Sequence, residues 1–201
     1  WRARISRRQV IPSMNGIIAE QWLDAGTLRP INCVEDPNFM GNYTDESTSP
    51  SQLLTSTIAD ELKIATRNKG LVYAIAPFRD AAILGAGHAG NGAFWLNNNT
   101  GKWCSTTYYN EFPWWLSQYN DRKSPDYRIK DMVWTPALPF TNYTFLPEWR
   151  NEPFKYKLDG ERTNKFRRLI TSPFINEEVN LLTEELLNKS TIGQDDVPDL
   201  L

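Results

Sequence analysis

Few residues of this chain carry side chains suited to acid–base or nucleophilic chemistry: it has one histidine and two cysteines in 201 residues. His88 lies in residues 85–90, GAGHAG, which have the spacing G-x-G-x-x-G of a dinucleotide-binding loop. Such a loop binds pyrophosphate only where it leads from a strand into a helix, because the free N–H groups of the helix N-terminus contact the phosphates. A strand is predicted before the motif, but strands and no helix are predicted after it. The motif therefore indicates close backbone packing by small residues.

A single histidine also argues against a complete hydrolytic site within the chain. A two-metal site needs several imidazoles and carboxylates that converge on the ions. A serine hydrolase needs an activated serine beside the histidine, and no G-x-S-x-G elbow occurs in the sequence. Squeezed between Gly87 and Ala89, His88 is predicted to be a structural hydrogen-bonding residue. We expect no catalytic residue and no metal ligand in this chain.

Composition narrows the class of protein. With 40% hydrophobic residues, the chain can bury one sizeable core. A net charge of −2 gives no reason to expect nucleic acid or a membrane surface as partner, and the arginines in residues 1–8 are interpreted as a solvated end. No apolar run approaches the roughly 18 residues that span a bilayer, and no signal-peptide segment is found. Cys33 and Cys104 allow one disulfide or two free thiols, and spacing does not decide between them.

The periodicity of apolar residues predicts the elements that position these side chains. Leucine and isoleucine at helical spacing predict a helix that opens at 49–51 and ends near Arg67. The apolar run 71–76 predicts a buried strand, and residues 91–96 and 102–109 predict a β-hairpin around the turn 97–101. Residues 113–120 and 176–188 predict two more helices. Six prolines make 124–175 irregular.

A helix followed by a buried strand is typical of an α/β fold. We expect one fragment of a domain over 1–201, in which 1–112 and 176–201 belong to the core and 113–175 form a cap or insertion. The apolar end at 197–201 is interpreted as a chain cut just before a strand. A sheet without its flanking strands exposes an edge, so dimerisation through that edge is expected.

Eight aromatic residues lie close together in the sequence between positions 95 and 119, and they admit two interpretations. A platform of aromatic rings can stack on sugars or bases, whereas the same rings can pack across strands and under a helix. The first interpretation leaves open a non-catalytic binding or cap module that holds a glycan or nucleotide-like ligand. The residues are Trp95, Trp103, Tyr108, Tyr109, Phe112, Trp114, Trp115 and Tyr119.

Several separate segments carry a resemblance to a known family. In order they are 12–24 (PSMNGIIAEQWLD), Cys33 with Glu35 and Asp36, 49–66 (SPSQLLTSTIADELKIAT), 81–95 (AAILGAGHAGNGAFW), 100–109 (TGKWCSTTYY), 134–136 (WTP) and 171–174 (TSPF). Through these segments, from about Ile11 to Leu201, the chain resembles the bacterial alkaline phosphatases related to type I phosphodiesterase/nucleotide pyrophosphatases, especially those of Bacteroidetes.

The resemblance implies a periplasmic or otherwise extracytoplasmic enzyme with a three-layer core, a central sheet flanked by helices. In that family a threonine or serine attacks phosphorus, and two zinc ions activate it and stabilise the leaving oxygen. The family's metal ligands fall partly upstream and partly downstream of this region. The resemblance therefore implies the central fragment of a zinc-dependent phosphoric-ester hydrolase that is inactive as an isolated chain.

The sequence departs from the family pattern at three places. The nucleophile position falls near Arg4, without the usual Thr-Gly pattern. The asparagine that contacts phosphate in the family falls on Glu20. The lysine and arginine of a Lys-Asp-Arg segment, which hold the oxygens of a monoester, fall on Phe78 and Asp80, and Arg79 occupies the former aspartate position.

These departures change the expected substrate. Glu20, Phe78, Arg79 and Asp80 are the expected substrate-binding residues, and they carry fewer cations than a monoester pocket requires. A diester has less charge and a second, often apolar, substituent, which Phe78 would suit better. The parent enzyme is therefore expected to prefer diesters, and a catalytically dead homologue kept as a structural partner is the remaining alternative.

Overall fold

The computed structural model describes residues 12–109, 111–143, 152–159 and 164–201. The basic run at 1–8 and Arg4, where the resemblance places the nucleophile, lie outside these residues. The helices are α1 (Pro12–Asn15), α2 (Ile58–Ala65), α3 (Arg79–Ala86), α4 (Trp114–Arg122), α5 (Lys165–Ile170) and α6 (Phe174–Lys189). The strands are β1 (Gln21–Leu23), β2 (Pro30–Asn32), β3 (Gly41–Asn42), β4 (Tyr73–Ala76), β5 (Gly92–Leu96), β6 (Trp103–Thr106), β7 (Val133–Trp134) and β8 (Tyr156–Lys157), with 3₁₀ turns at Pro125–Tyr127, Ile129–Asp131 and Phe140–Asn142.

The central sheet has four strands in the order β3-β6-β5-β4. β4 and β5 are parallel, and α3 connects them in a βαβ unit, whereas β5 and β6 form the predicted antiparallel hairpin. Beside β4, Leu200 forms a parallel bridge with Val72. β1 pairs with β2, and β7 pairs with β8, in two small antiparallel sheets.

Both faces of β5 are buried, which makes the core a three-layer arrangement. Phe94 packs into a cluster with side chains of α4, α5 and α6, while Trp95 packs into a second cluster with Ala82 and Ile83 of α3. Successive side chains of a strand point to opposite faces, so one short strand supplies both clusters. The expected α/β class with helices on both sides of a sheet is confirmed.

The helix predicted to open at 49–51 begins later than expected. α2 starts at Ile58 and is capped by Thr57, whose side chain accepts the N–H of Asp60 while the Asp60 carboxylate accepts the N–H of Thr57. Ser49, one of the two serines that could have capped a helix opening at 49–51, is buried and donates its hydroxyl to Asp36 at 2.6 Å. The Ser49 hydroxyl therefore bonds to a carboxylate that is distant in the sequence and does not cap α2.

As predicted, no helix follows the glycine motif before the next strand, but an unpredicted helix precedes it. α3 comes directly before Gly87, whose φ of 65° ends it, and the N–H of Gly87 donates to the carbonyl of Ile83. A glycine at a helix end accepts this left-handed conformation without strain. The motif lies at the C-terminal end of a helix, where no free N–H groups meet a pyrophosphate, so it is not a dinucleotide loop.

Residues 113–175 contain more regular structure than the prolines indicate. α4 agrees with the predicted helix, whereas α5 was not predicted. Trp115 of α4 and Phe166 of α5 are buried in the same cluster as Phe94, so this part of the chain covers one face of the sheet. No helix in the described ranges is long and apolar enough to cross a membrane.

Candidate functional site

Three of the four expected substrate-binding residues lie where β4 ends and α3 begins. β4 ends at Ala76, and Phe78 precedes the first residue of α3, Arg79, which is followed by Asp80. In α/β proteins, ligands bind outside the carboxyl ends of the parallel strands, where the connecting loops open. The short βαβ unit therefore places these side chains at the edge of the sheet most suited to a ligand.

The Arg79 guanidinium is held between two carboxylates. Its Nη1 lies 2.6 Å from Oε1 of Glu46, and its Nε donates to Oδ1 of Asp80 at 3.1 Å. The other oxygen of Asp80 accepts a hydrogen bond from the side-chain amide of Asn32 at 3.4 Å. Arg79 therefore has a defined orientation, and much of its charge is already balanced by the protein.

Glu20 lies directly before β1. Its side chain is exposed, and its backbone carbonyl accepts the N–H of Cys33 at 2.9 Å. Burial raises the pKa of the Cys33 thiol to about 12, and the charges of Asp80 and Glu20 act in the same direction against that of Arg79. The charges of Glu20, Arg79 and Asp80 therefore all act on one buried thiol.

Phe78, the fourth expected substrate-binding residue, has a solvent-exposed aromatic ring. Its side chain is 52% exposed, although large apolar side chains are usually buried, and it makes no capping hydrogen bond at the start of α3. An exposed ring beside the Arg79 pair offers an apolar contact to a ligand that also carries a charge. Phe78 is the one apolar group among the four expected residues.

The charge of this cluster is negative. Glu46 and Asp80 contribute two carboxylates in contact with Arg79, which contributes one guanidinium. A phosphate dianion placed here meets repulsion that one partly balanced arginine does not offset. The arrangement suits a ligand of low charge that makes one contact with Arg79.

Two members of this cluster, Asn32 and Glu46, were not found from the sequence. Glu46 lies in the polar stretch 33–49, which looked like an ordinary surface loop, and nothing in its spacing connects it to Arg79. Hydrogen bonds from Asp36 to Ser47 and from Thr48 to Phe39 fold this stretch back on itself, and the ion pair with Arg79 is visible only in the folded chain.

The described part of the chain does not fit a zinc centre. No three histidine, cysteine, aspartate or glutamate residues within it come together in a way that could hold a metal ion. Cys33 and Cys104 are free and buried, and burial raises the pKa of each thiol to about 12, so neither is the thiolate that zinc requires. The sequence spacing allowed either one disulfide or two free thiols, and in the structure both cysteines are free thiols.

Most of the aromatic residues between 95 and 119 are committed to packing. Five of the eight are buried: Trp95, Trp103, Tyr109, Trp115 and Tyr119. Only Trp114, on the outer face of α4, exposes most of its ring, at 67%. Buried rings present no face to a ligand, so a stacking platform made of all eight residues does not form.

No protein-family model matches this chain. The chain is 32% identical over 163 residues to alkaline phosphatase PhoV of Synechococcus elongatus, a match that covers 79% of this chain and 29% of that protein. It is 29% identical over 209 residues to alkaline phosphatase PafA of Elizabethkingia meningoseptica, which covers 95% of this chain and 38% of that protein. The crystal structure of wild-type PafA superposes with a TM-score of 0.78 at 25% identity and covers 95% of this chain and 40% of that chain. This chain belongs to an alkaline phosphatase-like family.

The alkaline phosphatase-like chain spans only about a third of the length of these curated relatives. Another relative, from Myroides odoratus, carries the name calcium-transporting ATPase and is 33% identical over 162 residues, which is 79% of this chain and 29% of that protein. The fold that these alkaline phosphatase-like proteins share includes the βαβ unit on which Phe78, Arg79 and Asp80 lie.

Proposed function

We propose that this chain forms one wall of the substrate pocket in a phosphoric-ester hydrolase that prefers diesters to monoesters. The observation that carries the proposal is the position of Arg79 at the end of β4, held by Glu46 at 2.6 Å and by Asp80 at 3.1 Å. Glu20 and Phe78 line the same wall.

The charge balance supports a diester. A monoester carries up to two negative charges and is usually held by several unpaired cations, because charge-assisted hydrogen bonds supply much of the affinity for phosphate. A diester carries one charge, and one oriented guanidinium can hold one of its two non-bridging oxygens. The two carboxylates that contact Arg79 penalise the second charge of a monoester more than the single charge of a diester.

Phe78 supports the same assignment. A diester has a second organic substituent where a monoester has a charged oxygen. An exposed phenyl ring next to Arg79 favours an apolar or planar substituent at that place, because burying its surface on binding is favourable.

The reacting groups belong to other parts of the enzyme in this proposal. Residues outside this chain would hold the two zinc ions that the family resemblance implies, and those ions would supply Lewis acidity at the reacting oxygens. This chain binds and orients the ester through Arg79 and Phe78. Because the reacting groups lie outside it, the 201-residue chain alone is inactive in this proposal. The family resemblance further implies that the parent enzyme works outside the cytoplasm.

A paired assay tests the substrate preference. In the full-length protein with zinc, kcat/KM for bis-p-nitrophenyl phosphate should exceed that for p-nitrophenyl phosphate. The variant Phe78→Lys/Asp80→Arg adds three positive charges to the pocket and should shift the ratio at least tenfold, roughly the effect of one charge-assisted hydrogen bond, towards the monoester. The variant Leu187→Lys/Asp131→Arg adds the same charge at exposed positions on α6 and in the 3₁₀ turn Ile129–Asp131, and should leave the ratio unchanged.

Three results would contradict the proposal. A monoester preference in the unmodified protein would show that the carboxylates around Arg79 do not set the substrate charge. No turnover of either ester by the zinc-loaded full-length protein would favour the catalytically dead homologue. Zinc-dependent turnover by the 201-residue chain would place the nucleophile and ligands inside it.

We also infer that the 201-residue chain associates through the outer edge of β4. On that side, the only pairing among the described residues is the bridge between Val72 and Leu200, and backbone groups of an open edge pair readily with another strand. Light scattering should report a dimer or larger species at high concentration, whereas a monodisperse monomer would contradict this inference.

A further inference from the structure

A second concave region lies at the opposite end of the parallel strands. It is a cavity of about 580 Å³ between the end of α2, the loop that follows α3 and the residues after β6. Its lining includes Phe39, Lys63, Asn68, His88 and Tyr108. His88 follows the C-terminal end of α3, whereas Arg79 opens that helix.

This cavity is separate from the pocket at Arg79. α3 has eight residues, and at 1.5 Å per residue it spans about 12 Å from one site to the other. The cavity lies beside the amino ends of β4 and β5, whereas the Arg79 cluster lies beyond the carboxyl end of β4. A ligand in the cavity would not occupy the pocket of the proposed hydrolase.

Lys63 is the unusual residue of the cavity. It faces inward from α2, its residue is only 5% exposed, and burial lowers the pKa of its ammonium against the opposing charge of Asp199. Within the described ranges, no hydrogen bond or ion pair engages its Nζ. The Asp199 carboxylate instead accepts the N–H groups of Leu71 at 2.5 Å and Gly193 at 2.6 Å.

The ammonium of a largely buried lysine without a close charged partner is destabilising, and an anion bound beside it offsets that loss of hydration. Charged groups inside proteins are normally paired, since desolvation is only repaid by a close opposite charge. The side chain of Lys63 lines a cavity large enough for a small organic molecule. No aspartate or glutamate among the described residues lines that cavity and competes for the ammonium.

The other walls are fixed and partly aromatic. Phe39 and Tyr108 meet edge to face with ring centroids 4.9 Å apart. The hydroxyl of Tyr108 donates to the carbonyl of His88 at 3.1 Å, which orients the ring. His88 itself is held by Asp60 and by the carbonyl of Leu53, so the wall opposite the aromatic pair is also rigid.

We propose that this cavity binds a small aromatic carboxylate, with the carboxylate on Nζ of Lys63 and the planar ring against Phe39 and Tyr108. The Lys63 ammonium supplies the charge, and the edge-to-face ring pair supplies an apolar corner against which the ligand ring can pack. The walls are already ordered by their own hydrogen bonds, so little conformational freedom is lost on binding.

Binding of 4-fluorobenzoate to the full-length protein, followed by fluorine NMR, tests the proposal. Lys63→Met should weaken binding about tenfold or more, the usual effect of losing one charge-assisted hydrogen bond, whereas Lys63→Arg should retain most of it. Lys189→Met removes an exposed lysine at the end of α6 and should leave binding unchanged. Arg79→Leu should also leave it unchanged, which separates this cavity from the hydrolase pocket.

Two neutral or smaller probes separate the two contacts. 4-Fluorobenzyl alcohol keeps the ring without the charge, and inorganic phosphate keeps a charge without the ring, so both should bind more weakly than 4-fluorobenzoate. Equal binding of the alcohol, or full binding by Lys63→Met, would overturn the proposal.

A measurement on the unmodified protein tests the proposal without depending on whether the variants fold. 4-Fluorobenzoate should shift the ε-carbon resonance of one lysine with a depressed pKa and raise that pKa, because a bound anion favours the ammonium. If the ligand leaves the lysine resonances unchanged, the proposal fails whatever the variants do.

Discussion

Nδ1 of His88 lies 3.2 Å from a carboxylate oxygen of Asp60, while Nε2 of the same ring lies 2.9 Å from the carbonyl oxygen of Leu53. Both oxygens only accept, so both hydrogen bonds form together only when each ring nitrogen carries a proton. The same carboxylate group accepts the N–H of Ala89 at 2.8 Å and caps α2 through Thr57. One aspartate therefore joins the start of α2 to the loop after α3.

Replacing Asp60 should destabilise the fold strongly. Asp60→Ala removes one half of the capping box of α2 and leaves the N–H groups of Thr57 and Ala89 without their acceptor, so the free energy of unfolding should fall by about 2 to 4 kcal/mol. Urea denaturation measures the change. Asp45→Ala, at an exposed position outside any helix or strand, is the matched control and should cost far less.

The contribution of Asp60 should also depend on pH. Burial alone would raise its pKa, but hydrogen bonds from Thr57, Ala89 and His88 outweigh burial and hold the pKa below the ordinary value of 3.8. The folded state then binds fewer protons than the unfolded state, so the contribution is complete above that value and is lost as pH falls through the lower folded pKa. The stability difference between the wild type and Asp60→Asn should shrink on acidification below about pH 4.

Glu46 should control the availability of Arg79 with little effect on stability. Its side chain is 51% exposed, and exposed ion pairs contribute at most about 1 kcal/mol, so Glu46→Gln should leave the urea midpoint nearly unchanged. The substitution removes one negative charge beside the guanidinium, so KM for a phosphate ester should fall, and more for a monoester than for a diester. An unchanged KM for both esters would count against a substrate contact at Arg79.

Breaking the ion pair between Arg128 and Glu178 should lower the free energy of unfolding strongly. Glu178 of α6 is fully buried and accepts Nε of Arg128 at 2.9 Å, with a second contact from the other guanidinium nitrogen. Arg128→Leu leaves a buried carboxylate alone, so unfolding free energy should fall by about 3 to 5 kcal/mol, whereas Arg128→Leu/Glu178→Leu should cost less than the single change. Equal or greater loss in the double variant would contradict this account.

Gly101 should tolerate no side chain. It ends the β5–β6 turn with φ of 67°, and a β-carbon there would lie 2.1 Å from a ring carbon of Phe166. Gly193 has φ of 70° and open space around it, so Gly193→Ala bears only the backbone strain of about 1 kcal/mol. Thermal melting should show that Gly101→Ala is destabilised by clearly more than Gly193→Ala.

Both cysteines should resist thiol reagents in the folded protein. The reactive species is the thiolate, and burial raises the pKa of Cys33 and of Cys104 to about 12, so little thiolate exists near pH 8. A chromogenic disulfide reagent should react slowly with the native protein and rapidly with two thiols once denaturant is added. Rapid labelling of one thiol before unfolding would show that its burial is transient.

Much of the architecture follows from local patterns in the sequence. The hairpin was predicted because the turn chemistry of 97–101 separates two apolar runs, and α4 and α6 were predicted from helical periodicity. The start of α2 was misplaced because Ser49 has the chemistry of a cap but bonds to Asp36. α3 was not predicted because its alanines and glycine give only a weak amphipathic pattern, although alanine favours a helix. Packing against β4 and β5 stabilises it.

The sequence by itself determined the α/β class, the resemblance to alkaline phosphatases and the shortage of cations at positions 20, 78 and 80, since these depend on residue identity and local order. Only the tertiary structure decided that Glu46 holds Arg79 and that Lys63 is buried beside a cavity. Both relationships join residues from different elements. Their distances are set by how the sheet and helices pack, and no local periodicity records that packing.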